Sequence, residues 1–204
     1  MINKQIPRYL GNELPKNSKL PTGKLSKHCY NLIHRTYEEK LFSKLNGNKC
    51  TIMFPKKNNK YQYRIIRGSI SSTFGFDFYD DREKFEEFYR KIDKDKFMYW
   101  SSFGLKDIEL IFCNSINVEN QEWMANARMR ENQGIISLDG EISVVSSLSF
   151  EISVFFLKDK ELLLFDKIWS YEDGYRSDLE IFIEKYPFGE LSKEWLRNNI
   201  LPLV

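Results

Sequence analysis

The side chains best suited to acid–base or metal chemistry near neutral pH are His28 and His34, the chain's two histidines. Their spacing works against a shared site. Six positions advance a helix by about 600 degrees, equivalent to about 240, so the two rings point to separate faces. Neither histidine belongs to an HExxH pattern. Cys29 adjoins His28, but neighbouring helical positions do not face one another. Cys29 instead shares an apolar stripe with Leu25, Leu32 and Ile33, which reads as a packed thiol rather than an activated nucleophile.

Carboxylates offer a second possible chemistry. Asp77, Asp80 and Asp81 precede Glu83, Glu86 and Glu87, and converging carboxylates can hold a cation that activates water in a nuclease. A charged helix face is usually just solvated, however, and Asp80 is placed to cap the helix that follows. The chain contains no GxxxxGK[ST] loop, no GxGxxG turn and no GxSxG elbow. The sequence therefore predicts no catalytic residue, no metal site and no cofactor.

Two segments look better suited to binding. Between positions 49 and 67, Lys49, Lys56, Lys57, Lys60, Arg64 and Arg67 occur with no acidic residue, and Tyr61 and Tyr63 lie among them. Cations on phosphates and tyrosine faces on exposed bases would suit single-stranded nucleic acid. The bland alternative is a lysine-rich turn whose tyrosines pack on a sheet, with Arg128 and Arg130 a weaker second basic spot. The other segment holds Trp169, Tyr171, Glu172, Asp173, Tyr175 and Asp178. Aromatic anchors among carboxylates can dock on a basic protein surface, the groove of a nuclease toxin included. Its bland alternative is a solvated helix face with packed aromatics.

The elements that must position these residues follow from hydrophobic period. Residues 1–23 carry Pro7, Pro15 and Pro21 and no apolar period, predicting an extended arm; residues 24–204 are read as one α+β domain. Leu25, Cys29, Leu32, Ile33, Tyr37, Leu41 and Leu45 recur every three to four residues before Asn46-Gly47, predicting one helix. Thr51–Phe54 and Tyr61–Arg67 predict a basic hairpin, and Ser72–Tyr79 a third strand. A helix is expected from Asp80 to about Asp93, a strand near Ile108–Phe112 after a break at Gly104, and a weaker helix over Glu119–Gln133. The alternation from Leu148 to Phe156 predicts a strand with Ser146, Ser147, Ser149 and Ser153 facing outward. Lys158–Glu161 then reads as a turn into a strand at Leu162–Phe165. Helices over Ser177–Tyr186 and around Trp195-Leu196 complete the expectation. Grouped strands with helices between groups predict an antiparallel or mixed sheet packed by several helices.

Composition sets the outer bounds. With 204 residues, 42% hydrophobic and 15% aromatic, the chain can bury a substantial core. Its formal charge of +2 conceals segregation: residues 1–67 carry 15 Lys/Arg against 3 Asp/Glu, or +12, and residues 68–204 carry 16 against 26, or −10. Three separated cysteines, no apolar leader and no Asn-x-Ser/Thr sequon lead us to expect a cytoplasmic chain without disulfides and without membrane spans. The sequence points to a non-enzymatic protein-binding module of the immunity or antitoxin kind, with a basic toxin domain as partner. The alternative is a nucleic-acid-binding protein or metal-dependent nuclease using the basic segment.

Overall fold

The computed structural model describes residues 14, 18–56, 62–67, 79–92, 96–113, 131–147, 152–169, 180, 183–184 and 188–203. Its elements run β1 (Ser18–Lys19), α1 (Gly23–Thr36), β2 (Tyr37–Ser43), β3 (Lys49–Pro55), β4 (Gln62–Arg67), α2 (Tyr79–Lys91), β5 (Phe97–Ser102), β6 (Ile108–Cys113), β7 (Asn132–Ser137), β8 (Ile142–Ser147), β9 (Ile152–Leu157), α3 (Asp159–Trp169) and α4 (Glu190–Asn199), closed by a 3-10 turn at Leu201–Leu203. Seven strands form one sheet in the order β1-β6-β5-β7-β8-β9-β4, and β2 and β3 form a second. Every strand pairing is antiparallel. This is the α+β class the sequence predicts.

The period-two pleat divides the large sheet between two cores. Met98, Trp100, Leu110, Ile136, Val145, Val154 and Phe156 join one cluster with Leu32 and Ile33 of α1 and Met53 of β3. Phe97, Tyr99, Ile111, Ile135, Val144 and Phe155 join the other, with Phe85 and Phe88 of α2 and Phe165 of α3. The sheet is thus covered on both faces. That explains why Ser146, Ser147 and Ser153, expected to face outward, are buried: in a strand covered on both sides neither face is the wet one. Their hydroxyls are satisfied internally, Ser146 with Ser153 at 2.6 Å and Ser147 donating to Glu131 at 2.6 Å. Ser149 lies outside the described residues.

Three other expectations need correction. The helix expected from Leu25 to Leu45 ends at Thr36, and the chain continues as β2. Asn46-Gly47 turns β2 into β3 rather than stopping a helix, with Gly47 at φ +81 and its N–H donating to the Lys44 carbonyl at 3.0 Å. The basic hairpin over 49–67 does not exist: β3 pairs with β2, whereas β4 pairs with β9 in the large sheet. Local turn chemistry in 55–60 suggested a hairpin, but the stronger partner for each strand lies elsewhere in the chain. The strand expected at Leu162–Phe165 is part of α3. Leu162, Phe165 and Trp169 are buried while Leu163 is 71% exposed, so the helical period carries through the apolar run once both flanks are considered.

Strands at Phe97–Ser102 and Ile108–Cys113 flank the break at Gly104, and α2 and α4 occupy the positions expected of them. Because α2 begins at Tyr79, Asp80 sits inside its first turn rather than before it. Of the segment read as an arm, Ser18–Lys19 pairs with β6 and Gly23 opens α1. The expected strand over 72–78 and most of the helices expected over 119–133 and 177–186 lie outside the described residues; Asn132 and Gln133 belong to β7, and Glu180, Ile183 and Glu184 are helical. Among the described residues, no helix is long and apolar enough to cross a membrane.

Candidate functional site

Both histidines are exposed on α1, and the His28 Nε2 lies 3.1 Å from the Leu138 carbonyl. Cys29 is fully buried between them in sequence. Burial pushes its thiol up to about 11, the opposite of what a thiolate nucleophile requires. Cys50 is raised as well, first by burial and then by the Glu131 carboxylate. The protonated Cys29 thiol is therefore favoured by folding. Its contribution to stability is present below the ordinary thiol range and is lost as pH rises through about 11. We expect iodoacetamide at pH 8 to leave Cys29 unmodified in the native chain and to alkylate it fully in guanidinium, with peptide mass mapping as the readout. Native alkylation of Cys29 would contradict this placement.

Among the described residues, no group of three or more His, Cys, Asp or Glu is arranged to hold a metal ion. Asp77 lies outside the described residues, Glu83 and Glu86 are exposed on α2, and Glu87 pairs with Lys91 one turn on.

Among the described residues of the basic segment, Lys49 belongs to the small sheet and Tyr63, Arg64 and Arg67 to the large one. Tyr63 is buried in the large sheet against Phe156, and its hydroxyl donates to the Lys56 carbonyl at 3.1 Å. Arg64 makes a two-pronged contact with Asp166 of α3, Nε to Oδ1 at 2.7 Å and NH2 to Oδ2 at 2.8 Å. Lys56 extends to the carbonyl of His34 at 2.7 Å. Arg67 closes β4 on the backbone, and Lys57, Lys60 and Tyr61 lie outside the described residues. Among the acidic-aromatic residues, Tyr171, Glu172, Asp173, Tyr175 and Asp178 also lie outside them. Trp169 ends α3 and is only 4% exposed. It stacks on Phe165 at 4.2 Å between ring centroids and meets Phe85 at 5.2 Å and Phe88 at 5.6 Å. Three turns of helix with an apolar face against α2 carry it into the core, where the bland alternative had put it.

A different surface stands out. Large apolar side chains exposed among the described residues are Leu41, Leu45, Phe103, Leu163 and Leu191. Four of these five border β2. Leu41, 56% exposed, lies on the strand itself, opposite Thr51. Phe103, 58% exposed, precedes Gly104, whose hydrogen-for-methyl position is 2.8 Å from the Glu39 carboxylate and 3.5 Å from the Thr51 methyl. The Leu105 N–H donates to the same Glu39 carboxylate at 2.6 Å. Leu45 and Leu191, 73% and 84% exposed, lie beside the far end of the strand in sequence. There the Gly189 N–H donates to the Ser43 carbonyl at 3.0 Å, and the Ser43 N–H lies 3.4 Å from the Ser192 hydroxyl.

The helical reading of 25–45 hid this surface, because it assigned Leu41 and Leu45 to a buried stripe. The signal available in the sequence was the pair Glu38-Glu39 followed by Lys40, a charged run that suits an edge strand. Comparison of the chain with protein-family models, with curated proteins and with solved structures gave no match.

Proposed function

We propose that this chain is a non-enzymatic protein-binding module of the immunity or antitoxin kind, and that its partner is a basic protein domain such as a toxin. The observation that supports recognition most directly is the exposure of four large apolar side chains, Leu41, Leu45, Phe103 and Leu191, on β2 or on segments that touch it. Exposed apolar side chains scattered singly carry no meaning, whereas apolar groups collected at one place and rimmed by charge suit a protein partner. Glu38 and Glu39 supply acidic groups on that strand, and both are exposed. The excess of carboxylates over residues 68–204 is a separate feature that favours a basic partner.

Nucleic-acid binding by the basic segment draws less support, because Tyr63 and Arg64 are engaged within the fold. The test is capture with the affinity-tagged full chain, followed by titration calorimetry of the purified partner against the purified chain. A saturable complex with one basic protein is the expected result. No saturable protein complex, together with substrate turnover by the purified chain, would sink this reading.

A further inference from the structure

Helix α1 carries charge differently from the other helices. α2, α3 and α4 each mix carboxylates with cations along the helix, and some of those cations are paired, Lys91 with Glu87 and Arg197 with Glu184. Mixed signs are what a solvated helix face usually shows. α1 holds Lys24, Lys27, His28, His34 and Arg35 without an Asp or Glu.

These residues share one side of the helix. At about 100 degrees per residue, Lys24, Lys27, His28, His34 and Arg35 all fall within about 60 degrees of Asn31, and all six side chains are exposed. The buried residues, Ser26, Cys29, Leu32 and Ile33, fall about 100 degrees or more from Asn31. From Lys24 to Arg35 the basic face is about 16 Å long. Exposed Lys56 extends it, its Nζ donating to the His34 carbonyl at 2.7 Å.

Folding does not account for this face. Lys24 stands in the first turn, which holds no acidic residue, although the helix dipole favours a carboxylate there. α3 and α4 follow the dipole, with Asp159, Glu161 and Glu190 in their first turns. Among the described residues, Lys24, Lys27 and Arg35 form no ion pair. Carboxylates on the adjoining turns are directed elsewhere. Asp139, next to the Leu138 that meets His28, accepts from the Ser137 hydroxyl at 2.6 Å and the Glu141 N–H at 3.0 Å. Glu141 pairs with Lys158 at 3.1 Å. Glu109 and Asp107 act on Tyr30, whose hydroxyl donates to the Ile108 carbonyl at 2.9 Å on the flank of the helix.

We propose that α1 is a polyanion-binding face whose occupant is the phosphate backbone of a nucleic-acid duplex. It uses residues other than the exposed leucines and goes beyond the protein-binding reading. A row of cations along a helix suits regularly spaced phosphates, with Asn31 a further hydrogen-bonding group among them. A single strand is held largely by bases stacked on aromatic rings, and the outward face of α1 has none. An acidic protein surface calls for apolar or aromatic anchors, which the face also lacks. A membrane-surface helix buries its apolar side in lipid, whereas that of α1 is committed to the core through Cys29, Leu32 and Ile33.

Fluorescence anisotropy of a labelled DNA duplex of about 20 base pairs, titrated with the full chain, tests the proposal. Phosphate contacts by Lys24, Lys27 and Arg35 predict a slope of log affinity on log salt of about −2.7, so affinity falls roughly 40-fold between 50 and 200 mM salt. The triple variant Lys24→Gln, Lys27→Gln, Arg35→Gln should bind at least tenfold more weakly at 50 mM salt and lose most of that slope. Arg90→Gln, Lys160→Gln, Lys167→Gln makes the same change in net charge on exposed positions of α2 and α3, and should stay within twofold of the parent. If circular dichroism shows the α1 triple variant unfolded, Lys27→Gln and Arg35→Gln singly should each reduce the slope by about 1. No salt-sensitive binding to the duplex overturns the proposal. Equal losses in the two triple variants overturn it as well, because net charge and not α1 would then be the cause. Tighter binding to the single strand of the same length, or binding to phosphatidylserine vesicles in place of the duplex, overturns the assigned occupant.

Discussion

Gly134→Ala is expected to lower the unfolding free energy by about 3 kcal/mol, at the upper end of what overpacking costs. Gly134 stands directly opposite Trp100 in the pairing of β5 with β7, and the indole occupies the space a side chain there would need. A methyl group there would fall 2.3 Å from Trp100 Cε2, 2.4 Å from Cζ2 and 2.5 Å from Nε1, well inside van der Waals contact. Trp100 cannot retreat, because it is fully buried with the Tyr37 ring at 4.8 Å between centroids. The Tyr37 hydroxyl is in turn held by the Ser143 hydroxyl of β8. Urea denaturation should show a lower midpoint at unchanged slope, the sign of altered stability rather than an altered unfolded state. The cause is tested by adding Trp100→Leu. If the clash is responsible, the double variant loses less than the two single losses combined by about 1 kcal/mol or more; simple additivity would contradict the account.

Asn132→Ala is the second large effect, expected at about 3 kcal/mol. One side chain joins the two sheets here: it accepts from the Met53 N–H, donates to the Thr51 carbonyl, and reaches the Ser102 carbonyl at 3.5 Å. Truncation leaves the buried Met53 N–H and the half-buried Thr51 carbonyl of β3 without the Asn132 side chain, and an unsatisfied buried donor costs more than the bond itself contributes. Asn132→Asp separates the roles. It retains an acceptor for Met53 but sets a second acceptor against the Thr51 and Ser102 carbonyls. Burial would raise the new carboxyl's pKa, so folding favours its protonated form. The stability deficit of Asn132→Asp relative to the parent should accordingly be smallest near pH 4 and grow as pH rises toward 7. Thermal melts at the two pH values measure it, and a deficit that shrinks with rising pH would refute the assignment.

Some of this was legible from local pattern. The α1 stripe through Cys29, Leu32 and Ile33, the break at Gly104 with the strand that follows it, and the α2 stripe through Phe85, Phe88 and Tyr89 all appear in the structure as expected. Asp139-Gly140 is a strong hairpin signal, and Gly140 adopts φ +75 between β7 and β8. The Arg64–Asp166 contact joins residues of one-third and four-fifths along the chain, and no spacing rule reaches that far.

The sequence by itself determined the class of the fold, the depth of its aromatic core and the segregation of its charge, because periodicity, composition and charge are local properties of the chain. Only the tertiary structure decided that Tyr37–Ser43 is a strand, that β3 and β4 separate into different sheets, and that Trp169 is buried while Leu41 is not. Each of those outcomes depends on a competition among partners distant in sequence: β2 with β3 against a longer α1, β4 with β9 against a hairpin with β3. Local propensity, worth at most about 1 kcal/mol per residue, yields when the alternative buries a whole apolar face.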